Sequence, residues 1–430
     1  MSKSSRTPLL IIFITVFIDL LGFGIVLPIL PRYAKHFYVG DIKLGMLMAS
    51  FSAMQFLFAP VWGRISDRVG RRPILILGLA GSAIFYTLFG YATSLGVEGQ
   101  LLGLGVVPWL FICRIGAGIA GATIPTAQAY IADVTGPLDR AKGMALIGAA
   151  FGIGFCFGPL LGAAFLPAEP DPIAATVSDT TVAEAEVVDR SPPSAVPGYL
   201  AGILSGLATL SAIFLLPESL QPGTRTEGRH WLDLSSLKEA VARPTIGLIL
   251  LAIFLTTIAF GQFETTLSLL TEKLGLPDRK NYLLFAYIGF VLALSQGMFV
   301  RRLLPKVGEL RMSRAGTVLM TVGLVLIGVS ALAQSRALLY AVIPIAVVGF
   351  SAVTPSLQSL LSRHSAATQQ GGILGLGQSI SALARILGPA MGIPLNGVDV
   401  ALPYWVGAAI MGLSVFLTLA LRRPADAPAE

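Results

Sequence analysis

Four ionisable residues stand midway along long apolar stretches: Asp19, Arg114, Glu264 and Arg385. A carboxylate or guanidinium at the centre of a bilayer costs about 2.5–3.5 kcal/mol on insertion scales, so residues of this kind in such positions mark function. Each half of the chain supplies one acid and one base. A carboxyl in a low-dielectric cavity, desolvated but near a guanidinium, switches readily between its neutral and charged forms. If its cavity opens to the two sides in turn, such an acid takes a proton on one side and releases it on the other. A cationic substrate competing for the same site turns that cycle into antiport. The drive is adequate, at about 1.4 kcal/mol per pH unit and about 2.3 kcal/mol per charge per 100 mV. The same four residues also admit a plainer reading as two buried ion pairs that only hold helices together.

Uncharged polar side chains accompany them. Gln55, Gln128, Gln262, Gln296, Gln358 and Gln378 sit on otherwise apolar stretches and are expected either to line a cavity or to bond a neighbouring helix. With the surrounding Phe and Tyr they would make an amphipathic pocket. A charged turn, Gly63-Arg-Ile-Ser-Asp67-Arg-Val-Gly70-Arg71-Arg72, separates two apolar runs. Asp67 and Arg71 are four apart and pair on one helical face, and Gly63 and Gly70 allow close approach or a turn. Its bases satisfy the positive-inside rule. The glycines and the acid point further, to a latch that pairs with Asp133 and breaks as the molecule moves. Gly148, Gly152, Gly154, Gly158-Pro159 and Gly162 form a small-residue face suited to tight, bendable packing.

The elements that must position these groups are membrane helices. Hydrophobic residues make up 54% of the 430, charged residues only 12%, and 47 are glycine, a composition of the membrane class. Twelve stretches from Pro8–Leu30 to Leu402–Leu421 reach the roughly 20 residues that a crossing needs. Pro125-Thr-Ala-Gln128 recurs as Pro355-Ser-Leu-Gln358, and Gly158-Pro159-Leu-Leu-Gly162 recurs as Gly388-Pro389-Ala-Met-Gly392, at one shared offset. The chain is therefore expected to be all-α and integral to the membrane, with twelve helices in two pseudo-symmetric six-helix bundles. The expected divisions are 1–216 with an acidic external insert at 168–197, a linker at 217–244 and a second bundle at 245–430. Trp231, Leu232, Leu234, Leu237 and Val241 give the linker the spacing of a short interfacial helix.

Lys and Arg concentrate in loops on the side of both termini, which places the termini in the cytoplasm. The net charge of +7 is then topological, and nucleic-acid binding is not expected because the bases are spread among short loops. Lys3 and Arg6 precede an apolar run too long for a signal peptide. Cys113 and Cys156 fall inside spans, and His36, His230 and His364 show no ligand spacing. No metal or cofactor is expected. No nucleophile stands with a base, so an enzyme is not expected. A receptor that kept the helices and lost transport would have no need of both acids and the latch.

The motifs together resemble the major facilitator superfamily, in its drug:proton antiporter branch with the tetracycline-resistance-like proteins. Phe17-Ile-Asp19-Leu-Leu-Gly22-Phe-Gly24-Ile-Val-Leu-Pro28-Ile-Leu-Pro31 is similar to the first-span motif, and Gly63–Arg72 to the cytoplasmic loop motif. Arg114-Ile-Gly116-Ala-Gly118 resembles the fourth-span arginine motif, and Gly148–Gly162 the antiporter motif. The resemblance implies proton coupling or cation recognition at Asp19 and Arg114, with Glu264 and Arg385 as the looser second-half match. It implies gating by Asp67, Arg71 and Asp133 and leak control at Gly158-Pro159. It further implies export of a small amphipathic compound in exchange for protons, from the plasma (inner) membrane, by a monomer. Uptake or symport of an organic anion is the alternative, with the same arginines binding substrate. Phe85-Tyr86 stands where tetracycline exporters carry a further acid, and Tyr282–Leu304 lacks their histidine, which implies a more apolar substrate than tetracycline.

Overall fold

The computed structural model describes residues 3–135, 140–166, 193–220, 244–364 and 370–421. The acidic insert expected at 168–197 lies outside the described residues except for 193–197, as does the interfacial helix expected at 231–241.

Backbone groups in lipid must bond within their own segment, so long apolar runs become helices. The first half contains α1 (Lys3–Val26), α2 (Leu30–His36), α3 (Asp41–Val69), α4 (Arg71–Ser94), α5 (Val106–Ala120), α6 (Ile124–Val134), α7 (Arg140–Ala164) and α8 (Val196–Leu215). The second contains α9 (Pro244–Lys273), α10 (Asp278–Leu294), α11 (Arg301–Val307), α12 (Glu309–Leu332), α13 (Arg336–Arg363), α14 (Gln370–Val398) and α15 (Leu402–Ala420). Among the described residues eleven stretches are long and apolar enough to cross a membrane, and Ala150–Ala164 of α7 is a shorter apolar helix. Three crossings are built from two helices end to end: α1 with α2, α5 with α6 through a tight turn at Gly121–Thr123, and α10 with α11 through a wide turn at Ser295–Val300.

One boundary differs from the sequence expectation. Hydropathy places the fourth span at Leu101–Ile131, but it does not begin at Leu101: Leu102 and Gly103 both have positive φ (52° and 77°) and close a small hairpin in which Gln100 faces Gly105. A two-residue loop of this kind suits the twist of paired strands. Hydropathy alone joined these leucines to the helix because a turn leaves no mark on apolarity.

The chain forms two compact units, one from the described residues of Met1–Glu227 with Ser268–Gly289 and the other from those of Gly228–Leu267 with Phe290–Glu430. The end of α9 and most of α10 thus belong to the first unit. In that unit Leu75, Leu79, Tyr130, Ile131, Ala208 and Leu216 form a core between α4, α6 and α8. In the second, Ile249, Leu250, Val353, Leu357 and Leu361 do the same for α9 and α13. Small residues bring the helices close: a Cβ on Gly198 of α8 would lie 2.5 Å from Gly90 of α4, and one on Gly349 of α13 would lie 2.4 Å from Met320 of α12. Large side chains such as Ile203, Phe214 and Phe416 point outward, the surface a helix offers to lipid tails.

Candidate functional site

In the first unit Asp19 is placed by close contacts of α1. A Cβ on Gly22 would lie 3.2 Å from the Ala201 carbonyl oxygen and 3.3 Å from Ser205 Oγ, and one on Gly24 would lie 2.9 Å from the Gly154 carbonyl oxygen of α7. The two glycines let α1 sit against α8 on one side and α7 on the other. Ser205 Oγ donates to Asp19 Oδ1 at 3.1 Å, and Ser82 faces the same carboxylate. Asp19 is half-buried.

Arg114 is not its partner. Nε and Nη1 of that guanidinium have no hydrogen-bond partner, and the group lies 4.5 Å from the centroid of the Phe51 ring. Tyr86 is within electrostatic reach of both Asp19 and Arg114. The Arg-x-Gly-x-Gly spacing has a direct cause: Phe85 fills the place of a side chain on Gly116 (2.2 Å), and the α3 backbone at Phe51 does so on Gly118 (2.6 Å). The two glycines draw aromatic walls around the arginine.

At the turn between α3 and α4, Gly70 has φ +114°, a conformation that L side chains rarely adopt. Arg71 pairs with Asp67 one turn back, with Asp133 at the end of α6 through Nε (3.3 Å), and with Ser66 Oγ (2.7 Å). The chain leaving α8 adds Glu218. Its carboxylate accepts from the backbone N–H of Arg71 (2.9 Å) and of Arg72 (3.1 Å), so an imported acid caps α4 where its free N–H groups attract negative charge. Ser219 Oγ donates to Asp133 at 3.0 Å, and Arg72 reaches the Ile213 carbonyl at 2.6 Å. Gly63 has open space around it.

In the second unit Glu264 is half-buried, about two thirds of the way along α9, and Arg385 is exposed, midway along α14. Arg385 is the charge that acts on Glu264, although Glu264 Oε1 is buried without a hydrogen-bond partner. Gln262 is wholly buried with neither amide atom bonded, and it packs where Gly392 of α14 leaves 3.0 Å to its Cγ. Gln55 donates to the Gly121 carbonyl at 3.2 Å. Gln128 and Gln296 are half-buried, while Gln358 and Gln378 are exposed.

The repeat seen in the sequence has a structural counterpart. A Cβ on Gly158 of α7 would lie 2.9 Å from Gly24 of α1, and one on Gly388 of α14 would lie 3.2 Å from Gly261 of α9. Each Gly-Pro-x-x-Gly segment therefore seats its helix against the first helix of its own half. Gly162 in turn receives the Tyr282 ring at 2.6 Å, whose hydroxyl donates to the Ile25 carbonyl at 2.8 Å.

The model of the Major Facilitator Superfamily matches residues 12–389. The chain belongs to the major facilitator superfamily. It is 30% identical over 438 residues to tetracycline resistance protein class C of Escherichia coli, with 98% of each chain covered. Multidrug resistance protein 2 of Bacillus subtilis (strain 168) is 25% identical, with 97% of this chain and 96% of that one covered. Among solved structures, the human organic anion transporter MFSD10 (TETRAN) superposes with a TM-score of 0.68 at 25% identity, covering 97% of this chain and all of that one. The protein is a multi-pass membrane transporter and not an enzyme.

Two parts of this facilitator are not among the sites expected from its sequence. The first is built on Arg32 of α2. Its guanidinium donates to the Ser268 carbonyl (3.3 Å), the Leu276 carbonyl (2.8 Å), Thr271 Oγ1 (2.8 Å) and Asp278 Oδ1 (2.8 Å). Ser268 Oγ and Asn281 Nδ2 donate to the Pro28 carbonyl at 2.6 and 2.9 Å. Arg32 and Asp278 read as ordinary span-end charges, so only their spatial convergence reveals the clasp. The second lies between α11 and α12, where Gly308 has φ +86°. There Glu309 pairs with Arg363 at 2.9 Å and accepts from Ser359 Oγ at 3.2 Å. Its signal was available: Val307-Gly308-Glu309 echoes Val69-Gly70-Arg71 with the charge reversed.

Proposed function

We propose that the chain exports a small amphipathic compound in exchange for protons by alternating access, with Asp19 as the first titrating group and Glu264 as the second. The observation that carries this reading is the setting of Asp19. Its carboxylate is held midway along α1 by a neutral hydroxyl, Ser205, and not by an arginine. A hydroxyl can donate to the charged carboxylate and accept from the neutral acid, so loading and unloading a proton leaves neither form without a partner. Glu264 has Arg385 as its charge and a free oxygen, the setting of a second, arginine-tuned acid.

Gating follows from the two ends of α3. The Arg32 clasp lies near its start and the Gly70 turn at its finish, about 40 Å apart for a helix of this length. Each is a set of charged or polar contacts that can come apart as a unit, as alternating access requires at the two faces of a membrane. The termini and the Gly70 turn are cytoplasmic in this reading, in the plasma membrane, and the working unit is a monomer. The names of the relatives, resistance to tetracycline in one and to multiple drugs in another, support export. A second reading, proton-coupled movement of an organic anion, is favoured by the likeness to a human organic anion transporter and by the exposure of Arg385.

Proteoliposomes holding a pH-sensitive dye test both. A panel of lipophilic cations, neutral drugs and organic anions is added across an imposed proton gradient. Substrate-triggered proton movement at least tenfold weaker in Asp19→Asn is the expected result. No movement with any compound, or wild-type behaviour in the variant, removes Asp19 from the cycle.

A further inference from the structure

We propose that the short helix α11 is a docking surface for anionic phospholipid, holding headgroup phosphates with Arg301, Arg302, Lys306 and Arg311 and acyl chains against Leu303 and Val307. The crossing that α11 completes runs over 30 residues, Asp278–Val307, about 45 Å of helix against about 30 Å of hydrocarbon. Its end therefore stands in the headgroup layer. No side chain of α11 is buried. Leu304 turns inward, against Val300, Met312 and Ala352. Arg302 and Lys306 are one helical turn apart, and so are Leu303 and Val307, so a cationic ridge and an apolar ridge lie side by side. All four residues are exposed. Met298 and Phe299, exposed in the wide turn before α11, extend the apolar area. Beyond the Gly308 turn, Arg311 is exposed as well.

Nothing among the described residues neutralises these bases. Glu309 is the sole acid between Asp278 and Asp399, and it is committed to Arg363 and Ser359. Arg301, Arg302, Lys306 and Arg311 have neither an acid nor a carbonyl as partner among the described residues. The Gly70 turn differs: Arg71 is held by Asp67 and Asp133, and Arg72 by the Ile213 carbonyl. Arg314 likewise is engaged by carbonyls at the end of α15. Keeping a loop on one side of a membrane requires basic residues in number, not an apolar ridge beside them. The two ridges together have the form of an interfacial helix. Arginine forks match phosphate oxygens, and long basic side chains reach the headgroups from apolar stems. A free phosphate would leave Leu303 and Val307 uncovered, whereas the acyl chains of a lipid cover them. A zwitterionic headgroup brings its own cation to oppose the bases; an anionic one brings none.

The test uses the purified full-length protein in a neutral detergent, titrated with dioctanoylphosphatidylglycerol or with zwitterionic dioctanoylphosphatidylcholine. Native mass spectrometry counts the lipid retained. An anionic-lipid surface gives a half-saturation about tenfold lower for the glycerol lipid than for the choline lipid. The double variant Arg302→Gln with Lys306→Gln weakens retention of the glycerol lipid about tenfold, and Leu303→Asn with Val307→Asn weakens it several-fold. Lys43→Gln with Arg279→Gln removes as much charge from exposed bases elsewhere and leaves retention as in the wild type. Inorganic phosphate at the lipid concentration displaces none. The proposal is overturned by equal retention of the two lipids, by undiminished retention in either α11 variant, by an equal loss in the Lys43 and Arg279 variant, or by displacement with phosphate. Should the α11 variants not fold, the wild-type comparison of the two lipids and the phosphate competition decide.

Discussion

The Gly70 and Gly308 turns occupy matching places in the two halves, yet they carry opposite charges. Both glycines have positive φ, +114° and +86°, and each ends one helix and begins the next. In the first, the opening residue is Arg71, which reaches Asp133 at the end of α6. In the second it is Glu309, which reaches Arg363 in the last turn of α13. The duplication kept a contact between a helix start and a neighbouring helix end. It did not keep the sign.

The sign has a physical consequence. A helix start favours negative charge and a helix end favours positive charge. Glu309 and Arg363 agree with both preferences, so that turn is satisfied by its own residues. Arg71 and Asp133 oppose both, and Glu218 offsets the mismatch with two oxygens on the first N–H groups of α4. The first turn is also the more enclosed: the Arg71 side chain is 9% exposed, against 61% for Arg363. A pair held against local preference by a third group is easier to release than one that agrees with it, which suits the first turn to gating.

The sharpest way to break this comparison is to give both glycines a side chain. In Gly70→Ala the new Cβ would lie 2.4 Å from Glu218 Oε2 and the backbone would be strained, for an expected loss of about 3 kcal/mol. Gly308→Ala meets nothing within 4 Å and should show strain alone, about 1 kcal/mol. Thermal midpoints from fluorescence-detected size exclusion compare the two, and equal falls would refute the special role of Glu218. Next in size is Glu218→Gln, which keeps shape but weakens charge-assisted capping, for about 1 kcal/mol. It should lower transport of any identified substrate several-fold, and unchanged uptake and stability would show the cap to be idle. The smallest effect is expected from Arg363→Gln. Its own side chain is largely solvent-exposed, and a shift beyond about 0.5 kcal/mol would mean that the second turn is held no less firmly than the first.

Much of the architecture was legible in advance. The bilayer demands long apolar helices and punishes charge at depth, so composition and periodicity locate the spans and single out Asp19, Arg114, Glu264 and Arg385. The Gly70 turn was legible for the same local reason, since Asp67 and Arg71 four residues apart share a face. The glutamines were less so. Gln262 is buried against glycines of α14 while Gln378 is exposed, and no feature of a lone polar residue in an apolar run separates those fates. Leu102 was misplaced because φ is invisible to hydropathy.

By itself the sequence determined the membrane class, the repeated motifs, the glycine turn and the placing of four ionisable groups within apolar helices. These depend on a residue, its near neighbours and the lipid. Tertiary structure alone decided partnership: Asp19 to Ser205, Arg71 to Asp133 and Glu218, and Arg32 to Thr271 and Asp278. It also left Arg114 with none for Nε and Nη1. Partners so distant in the chain are chosen by how closely packed helices meet, and that choice turns on single glycines whose effect appears only when two backbones touch.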